Sequence, residues 1–390
     1  MQRPLFTLQN HEEFHEDKTS GIKDCYKDLE AADLNAGMSC LLKIWVNNSL
    51  SSLQHPCLAF ATTIPALEVM QLVYRHLATF TFLTVMDQDN STISEFIMLG
   101  FTTDPVMQKI LFAVFLVVYT LTLLGNSSLI VLICNDSRLH TPMYFFIGNL
   151  SFLDLGLSSV YTPKILATCI SEDKSISFAG CVAQFFFSAA LDYTECYLLA
   201  AMAYDRYVAI SKPLLYSQAM PLKLCVFFVA ASYMGGFINS VIITKDTFAL
   251  NFCSDNVIDD FFCDIPPLVK LACGKKESFQ SVLFFLLTSN VIIPIVFILA
   301  TYLFIIATIL RIRSTQGRLK AFSTCSSHLI SVTLYYGSIL YIYARPRSSY
   351  SLDRDKIVST FYTVVFPMLN PLIYSLRNKD VKEALKKLLK

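Results

Sequence analysis

The sequence predicts an all-α membrane protein: a bundle of seven transmembrane helices followed by a short amphipathic C-terminal helix. Three observations lead there. Hydrophobic residues make up 54% of the chain and charged residues 16%, with a mean hydropathy of +0.51, which is too apolar for an ordinary water-soluble domain. Seven runs reach the length of about 20 apolar residues that a helix needs to cross a hydrocarbon layer about 30 Å thick. Lysine and arginine gather in alternate connections between those runs, as they do on the cytoplasmic side of membrane proteins. The net charge of +1 offers no basic stripe for nucleic acid.

The runs fall near 110–133, 143–166, 182–204, 222–244, 281–310, 325–344 and 357–376. Each is too long and too continuous for a strand of a barrel, the other structure that can satisfy its backbone within lipid. Arg138, Lys212, Lys223, the group Arg311 to Lys320, Arg206 and the tail from Arg377 give one side fourteen basic residues. The other side has nine, diluted by Asp255, Asp259, Asp260 and Asp264. The C-terminus is therefore expected in the cytoplasm, and an odd number of spans places the segment before Ile110 outside. The sequon Asn90-Ser91-Thr92 then lies in an extracellular tail, where glycosylation of Asn90 is expected. Two further sequons, at Asn126 and Asn149, fall inside spans, beyond a transferase's reach.

Twelve cysteines are too few for a disulfide scaffold and show no zinc-like CxxC spacing. Cys181, Cys253, Cys263 and Cys273 fall on the extracellular side, where oxidation allows pairing. Cys134, Cys196, Cys225 and Cys325 lie in spans or at inner ends and read as thiols.

Four motifs stand at span boundaries in chain order. Leu139-His140-Thr141-Pro142-Met143-Tyr144 follows the first span, and Met202-Ala203-Tyr204-Asp205-Arg206-Tyr207-Val208-Ala209-Ile210 closes the third. Lys320-Ala321-Phe322-Ser323-Thr324-Cys325-Ser326-Ser327-His328 opens the sixth, and Pro367-Met368-Leu369-Asn370-Pro371-Leu372-Ile373-Tyr374 lies in the seventh. From about Met86 to Lys390 the chain resembles the odorant (olfactory) receptors of land vertebrates, within the rhodopsin-like G-protein-coupled receptors. One departure is Ser211, where that family's third-span motif continues with cysteine. The resemblance implies disulfides joining Cys181 to Cys263 and Cys253 to Cys273. It also implies a plasma-membrane location, small volatile odorants as ligands, and a heterotrimeric G protein of the olfactory stimulatory type that raises cAMP. No catalytic residue and no metal centre are expected. A non-olfactory chemosensory receptor is the alternative, with a transporter behind it; matched half-repeats of the kind transporters carry are not seen.

Ionisable groups inside a bilayer cost several kcal/mol and usually face a partner or carry a role. Asp154 is the clearest, with Asn126 and Asn370 as expected neighbours. In receptors of this type such a cluster holds water or a sodium ion; a packing-only hydrogen-bond network is the other reading. Asp205 and Arg206 close the third span, next to Tyr207. The resemblance implies that the carboxylate holds the guanidinium at rest and that Arg206 engages the G protein when the sixth span swings out. Tyr302 and Tyr374 are expected to bond to the released Arg206. Pro294, Pro367 and Pro371 interrupt the fifth and seventh spans, each removing a backbone hydrogen bond and offering a kink.

A ligand pocket is expected in the outer half, between spans three, five, six and seven. Ser188, Ala189, Asp192 and Tyr193 offer themselves on span three, Tyr336, Ile339 and Tyr343 on span six, and Thr360 and Thr363 on span seven. Two readings stand for Asp192: attraction of a cationic or hydroxyl-bearing odorant, or a bond to Tyr193 or a neighbouring span. Beyond Arg377, the residues Val381, Ala384, Leu385, Leu388 and Leu389 share a helical face against lysines. That describes a helix on an anionic leaflet, with a solvated coil as the alternative. Residues 1–85 match no pattern and lack the apolar core of a signal peptide; they read as a disordered or loosely associated extension, upstream of the usual start of such a receptor.

Overall fold

The computed structural model describes residues 94–102, 104–253, 256–274, 277–343, 352–375 and 379–388. All of them belong to the compact unit Leu77–Lys390. Asn90 and the extension 1–85 lie outside the described residues, as does the side chain of Tyr343.

Seven long helices account for the bundle. They are α1 (Pro105–Asn135), α2 (Pro142–Ile170), α3 (Phe178–Ser211), α4 (Leu222–Phe248), α5 (Glu277–Arg311), α6 (Thr315–Tyr343) and α7 (352–375). A further helix, α8 (Lys379–Leu388), follows. Their starts are written locally. Asp104 accepts a hydrogen bond from the Val106 N–H at 2.9 Å, with Pro105 at the first helical position, and Ser177 accepts from the Gly180 N–H at the head of α3.

The polar and charged groups of the spans gather inside the bundle among apolar side chains, and its outside is apolar. Asn126, Asp154, Glu195, Asp205, Arg206, Asn290 and Asn370 are all buried. Leu124 on α1 and Phe284, Leu303 and Leu310 on α5 are each more than 60% exposed, which in water would be a large apolar patch and in lipid is the expected surface. Five helices are long and apolar enough to span a bilayer on composition alone: α1, α2, α4, α5 and the Lys356–Ser375 part of α7. The third helix carries Asp192, Glu195, Asp205 and Arg206. It tolerates them because it runs through the interior, packed on α2, α4, α5 and α6.

Small residues set how closely α3 and α4 approach. A Cβ built on Gly236 would stand 2.6 Å from the Ala190 carbonyl oxygen and 2.8 Å from the Thr194 nitrogen, both backbone atoms that cannot yield. Glycine is therefore required there, as at many close helix crossings in membranes.

One end of the bundle carries a structured lid. Strand β1 (Glu95–Met98) pairs antiparallel with β2 (Ser175–Ser177) and parallel with β4 (Val257–Ile258), while β3 (Asn251–Phe252) pairs with β5 (Ala272–Cys273). No strand was legible here from local pattern, because the pairing partners are remote and each strand is only two to four residues long. Disulfides Cys181–Cys263 and Cys253–Cys273 pin the α4–α5 connection to the head of α3 and to itself, in the pairing that the resemblance implied. Phe96, Met98, Phe178, Phe248 and Leu268 form the apolar centre of this cap. Among the described residues Cys134, Cys169, Cys196, Cys225 and Cys325 form no disulfide.

Gly236→Ala is expected to lower the amount of receptor at the cell surface several-fold. Gly337→Ala, whose new Cβ meets nothing within 4 Å, is expected to leave it unchanged. Surface labelling of an epitope-tagged chain checks both.

Candidate ligand cavity and switch

A cavity of about 70 Å³ lies beneath the lid. On a scale where one water needs about 10–15 Å³, this is room for roughly five or six waters. Ser188, Ala189, Asp192 and Tyr193 all line it from α3, successive residues of one helical face, with Phe185 and Cys196 above and below. Tyr161 of α2, Ile243 of α4 and Asp264 and Ile265 of the lid complete the wall with Leu283, Leu287 and Val291 of α5.

The reading of α6 and α7 needs correction. Tyr335 and Ile339 face the cavity from α6, whereas Tyr336 turns aside and donates to the Cys196 carbonyl at 2.9 Å. On α7 the lining residue is Tyr362; Thr363 is fully buried and donates back to the Ser359 carbonyl, and Thr360 is also absent from the wall. The physical reason is a π-turn at Phe361–Val365. An extra residue in one turn rotates the faces of the helix on either side, so an ideal 3.6-residue wheel misassigns them. A second π-turn, Thr288–Ile292 in α5 just before Pro294, holds buried Asn290, whose Oδ1 accepts from Asn239 Nδ2 of α4 at 2.8 Å.

Tyr335 ties α6 to α3 by donating to the Asp192 carbonyl at 2.7 Å. The Asp192 carboxyl lies inside the bundle, and its Oδ1 has no hydrogen-bond partner. It does not bond to Tyr193 through that oxygen, so the second reading of this residue finds no support at Oδ1.

Deeper along α3, Asn370 Nδ2 of α7 donates to both oxygens of Asp154 at 3.1 Å. Asn126 is placed differently from expectation: its Nδ2 donates to the carbonyls of Thr122 and Pro367, which clamps α1 to the proline of α7 rather than to Asp154. Glu195, which the sequence reading passed over, is buried with its Oε1 unpartnered and feels the charge of Asp154. Its position three residues after Asp192, in a span that must cross lipid, was the signal available.

At the end of α3 remote from the lid, Arg206 is buried and ion-paired to Asp205, with Met143 of α2 against its other nitrogen. Tyr216 donates to the second Asp205 oxygen at 2.7 Å. Tyr207 packs beside Tyr204 and against Phe304 of α5. Tyr302 is engaged elsewhere: its hydroxyl lies 2.8 Å from Nδ1 of His328, whose Nε2 lies 3.1 Å from the Leu199 carbonyl. With Tyr302 donating to Nδ1 and Nε2–H donating to Leu199, one neutral imidazole joins α5, α6 and α3. Tyr374 and Pro371 are buried on α7, where Pro371 fills the space beside Gly125 of α1. Beyond the bundle, Arg138 bridges Asp136 and Glu383 at 2.8 and 2.7 Å, fastening α8 to the turn after α1. Arg138 holds the Asp136 carboxyl well below the usual range. Val381 and Ala384 are the buried face of α8, and Leu385 is exposed.

A family model described as olfactory receptor matches residues 115–390. The chain belongs to the olfactory receptor family. It is 95% identical over 305 residues to mouse olfactory receptor 9G19, covering 78% of this chain and 100% of that protein. To human olfactory receptor 9G9 it is 76% identical over 304 residues, again 78% of this chain and all of the relative. A crystal structure of squid rhodopsin shares the fold, with a TM-score of 0.57 at 17% identity over 73% of this chain and 81% of that one. This olfactory receptor is thus a multi-pass, seven-helix membrane receptor whose work is signalling and not catalysis.

The lid of this receptor contains one carboxyl group tuned near neutrality. Burial, and secondarily repulsion from Asp264, push Asp260 up to about 7, against a hydrogen bond from the Phe261 N–H and attraction from Lys356. Its folded pKa lies above its unfolded value, so the native state holds the proton where the unfolded chain releases it. Stability therefore falls as pH rises from about 4 to about 7. Purified receptor is expected to melt higher at pH 5.5 than at pH 7.5, and Asp260→Asn is expected to shrink that difference; a thermal-shift assay at the two pH values checks it.

Proposed function

We propose that odorant binding in the cavity under the lid releases Arg206 at the opposite end of α3 to engage a heterotrimeric G protein of the olfactory stimulatory type, raising cAMP. The observation that carries this reading is the placement of both sites on one buried helix, with the Tyr335–Asp192 bond at one end and the His328 junction of α3, α5 and α6 at the other. A ligand that moves α6 at Tyr335 acts on the same helix whose base is held through His328. Outward motion of that base breaks the contact to Leu199 and frees Tyr302 to turn toward Arg206.

The orientation follows from two asymmetries. Disulfides lie only at the lid end among the described residues, and the secretory route is oxidising; the basic excess lies at the Arg206 end. The lid is therefore extracellular in this reading, the C-terminus cytoplasmic and the site the plasma membrane, with α8 resting Leu385 on the inner leaflet. The buried oxygens of Asp154 and Glu195 suit a sodium ion or water, since hard cations take oxygen ligands and Glu195 Oε1 has no hydrogen-bond partner. The division of the chain near residue 86, with 1–85 outside the receptor proper, is supported by the 305 residues that span a relative's full length.

Cells displaying the full chain, exposed to a panel of volatiles, are expected to raise cAMP for at least one compound. Arg206→Ala is expected to abolish that response with receptor still at the surface, and Tyr302→Phe to reduce it. A panel that never raises cAMP, or an Arg206→Ala dose-response equal to that of the parent, contradicts the reading.

A further inference from the structure

The chemistry of the cavity wall narrows the ligand class. Two carboxyl groups, Asp192 of α3 and Asp264 of the lid, line a space that holds only a few heavy atoms, and they feel each other's charge. Among the described residues of the wall there is no lysine, arginine or histidine. Burying one ionised carboxylate without a partner costs several kcal/mol, and two in one cavity repel as well. Asp264 meets part of its need by accepting from the Ile265 N–H at 2.7 Å. Asp192 Oδ1 has no hydrogen-bond partner. Apart from Ser188 and Cys196 the rest of the wall is aromatic and aliphatic: Tyr161, Tyr193, Tyr335 and Tyr362 present rings, and Leu287 and Val291 present methyl groups.

We propose that the ligand of this receptor is a small protonated aliphatic amine, its ammonium set against Asp192 and its alkyl part against α5. An ammonium brings three donors and one positive charge. It supplies the unpartnered Oδ1 with a charge-assisted hydrogen bond, relieves the repulsion between the two carboxylates, and sits among rings whose faces attract cations. A neutral alcohol can donate one hydrogen bond but brings no positive charge to the carboxyl groups. A ketone or ester can donate none and suits the wall only if Asp192 is held protonated as a donor. The cavity volume fits an amine of about five or six heavy atoms on the water scale used above, such as isobutylamine or isopentylamine. This inference rests on the cavity being the odorant site.

The test uses the full chain in cells with a cAMP readout and surface labelling. The probes are isopentylamine, isopentyl alcohol, 4-methyl-2-pentanone and a panel of larger neutral volatiles. Isopentylamine is expected to activate the parent receptor at a concentration at least about tenfold lower than the alcohol or ketone, because charge-assisted bonds are roughly twice as strong as neutral ones. Asp192→Asn is expected to move the amine response to about tenfold higher concentration or beyond, with the alcohol response changing little. Asp264→Asn, which keeps the helix-capping acceptor, is expected to give a smaller shift in the same direction and guards against misfolding of the first variant. Activation by neutral volatiles without any amine response overturns the amine assignment and leaves the odorant-receptor reading intact. An amine response that both variants retain unshifted also overturns it. Silence toward every compound, with receptor at the surface, contradicts both readings.

Discussion

The constraint on which this molecule depends is the burial of charge along α3. Asp192, Glu195, Asp205 and Arg206 sit on one helix that lipid cannot accept, and the remaining helices are arranged so that lipid never meets them. Each group then takes what partner the fold provides. Arg206 takes Asp205, Asp205 takes Tyr216 as well, and Asp154 takes Asn370. Of these charged residues on α3, Asp192 and Glu195 each keep an oxygen without a hydrogen-bond partner, the first at the cavity and the second within reach of the Asp154 charge. Polar groups left unpaired in an apolar interior are costly, and in the proposed reading a ligand in the cavity supplies the partner that Asp192 lacks.

The two ends of the bundle are built to different purposes. At the lid end, two disulfides, a three-stranded sheet and an aromatic core fix the roof of the cavity. Lys356 adds a cross-tie, donating to Asp259 at 2.5 Å and to the Gly100 carbonyl at 3.2 Å, which joins α7 to the lid and to the segment before α1. At the other end the connections are hydrogen bonds and ion pairs, each reversible. The His328 junction is the most economical of them, since a single side chain there bonds to two other helices. A rigid roof and a breakable base suit a device in which a small ligand must produce a motion far away, because interfaces with two discrete packings amplify small shifts.

Most of the fold was legible in the sequence, for reasons tied to the solvent. Twenty apolar residues in lipid have few options, so the seven helices follow from hydropathy. The α3 wall of the cavity was also legible, because Ser188 to Tyr193 lie on an uninterrupted helix. On α6 Ile339 lines the cavity, but Tyr335 rather than Tyr336 is the ring that faces it. On α7 the wheel failed at the π-turn Phe361–Val365, a feature set by packing that no local pattern announces. His328, Glu195 and Tyr216 were passed over for another reason: their roles come from partners 129, 41 and 11 residues distant, or from no partner at all. The lid strands were invisible for the same cause, with β1 meeting β4 across more than 150 residues.

The central claim is that occupancy of the cavity is carried along α3 to a base that opens. It is tested most directly by the distance between spectroscopic probes at exposed Lys212, just beyond α3, and exposed Gln316, at the start of α6, measured in purified receptor before and after an activating volatile is added. The account predicts that the separation lengthens by several ångströms with ligand and returns when ligand is removed. A separation that stays the same while the cavity fills would contradict it.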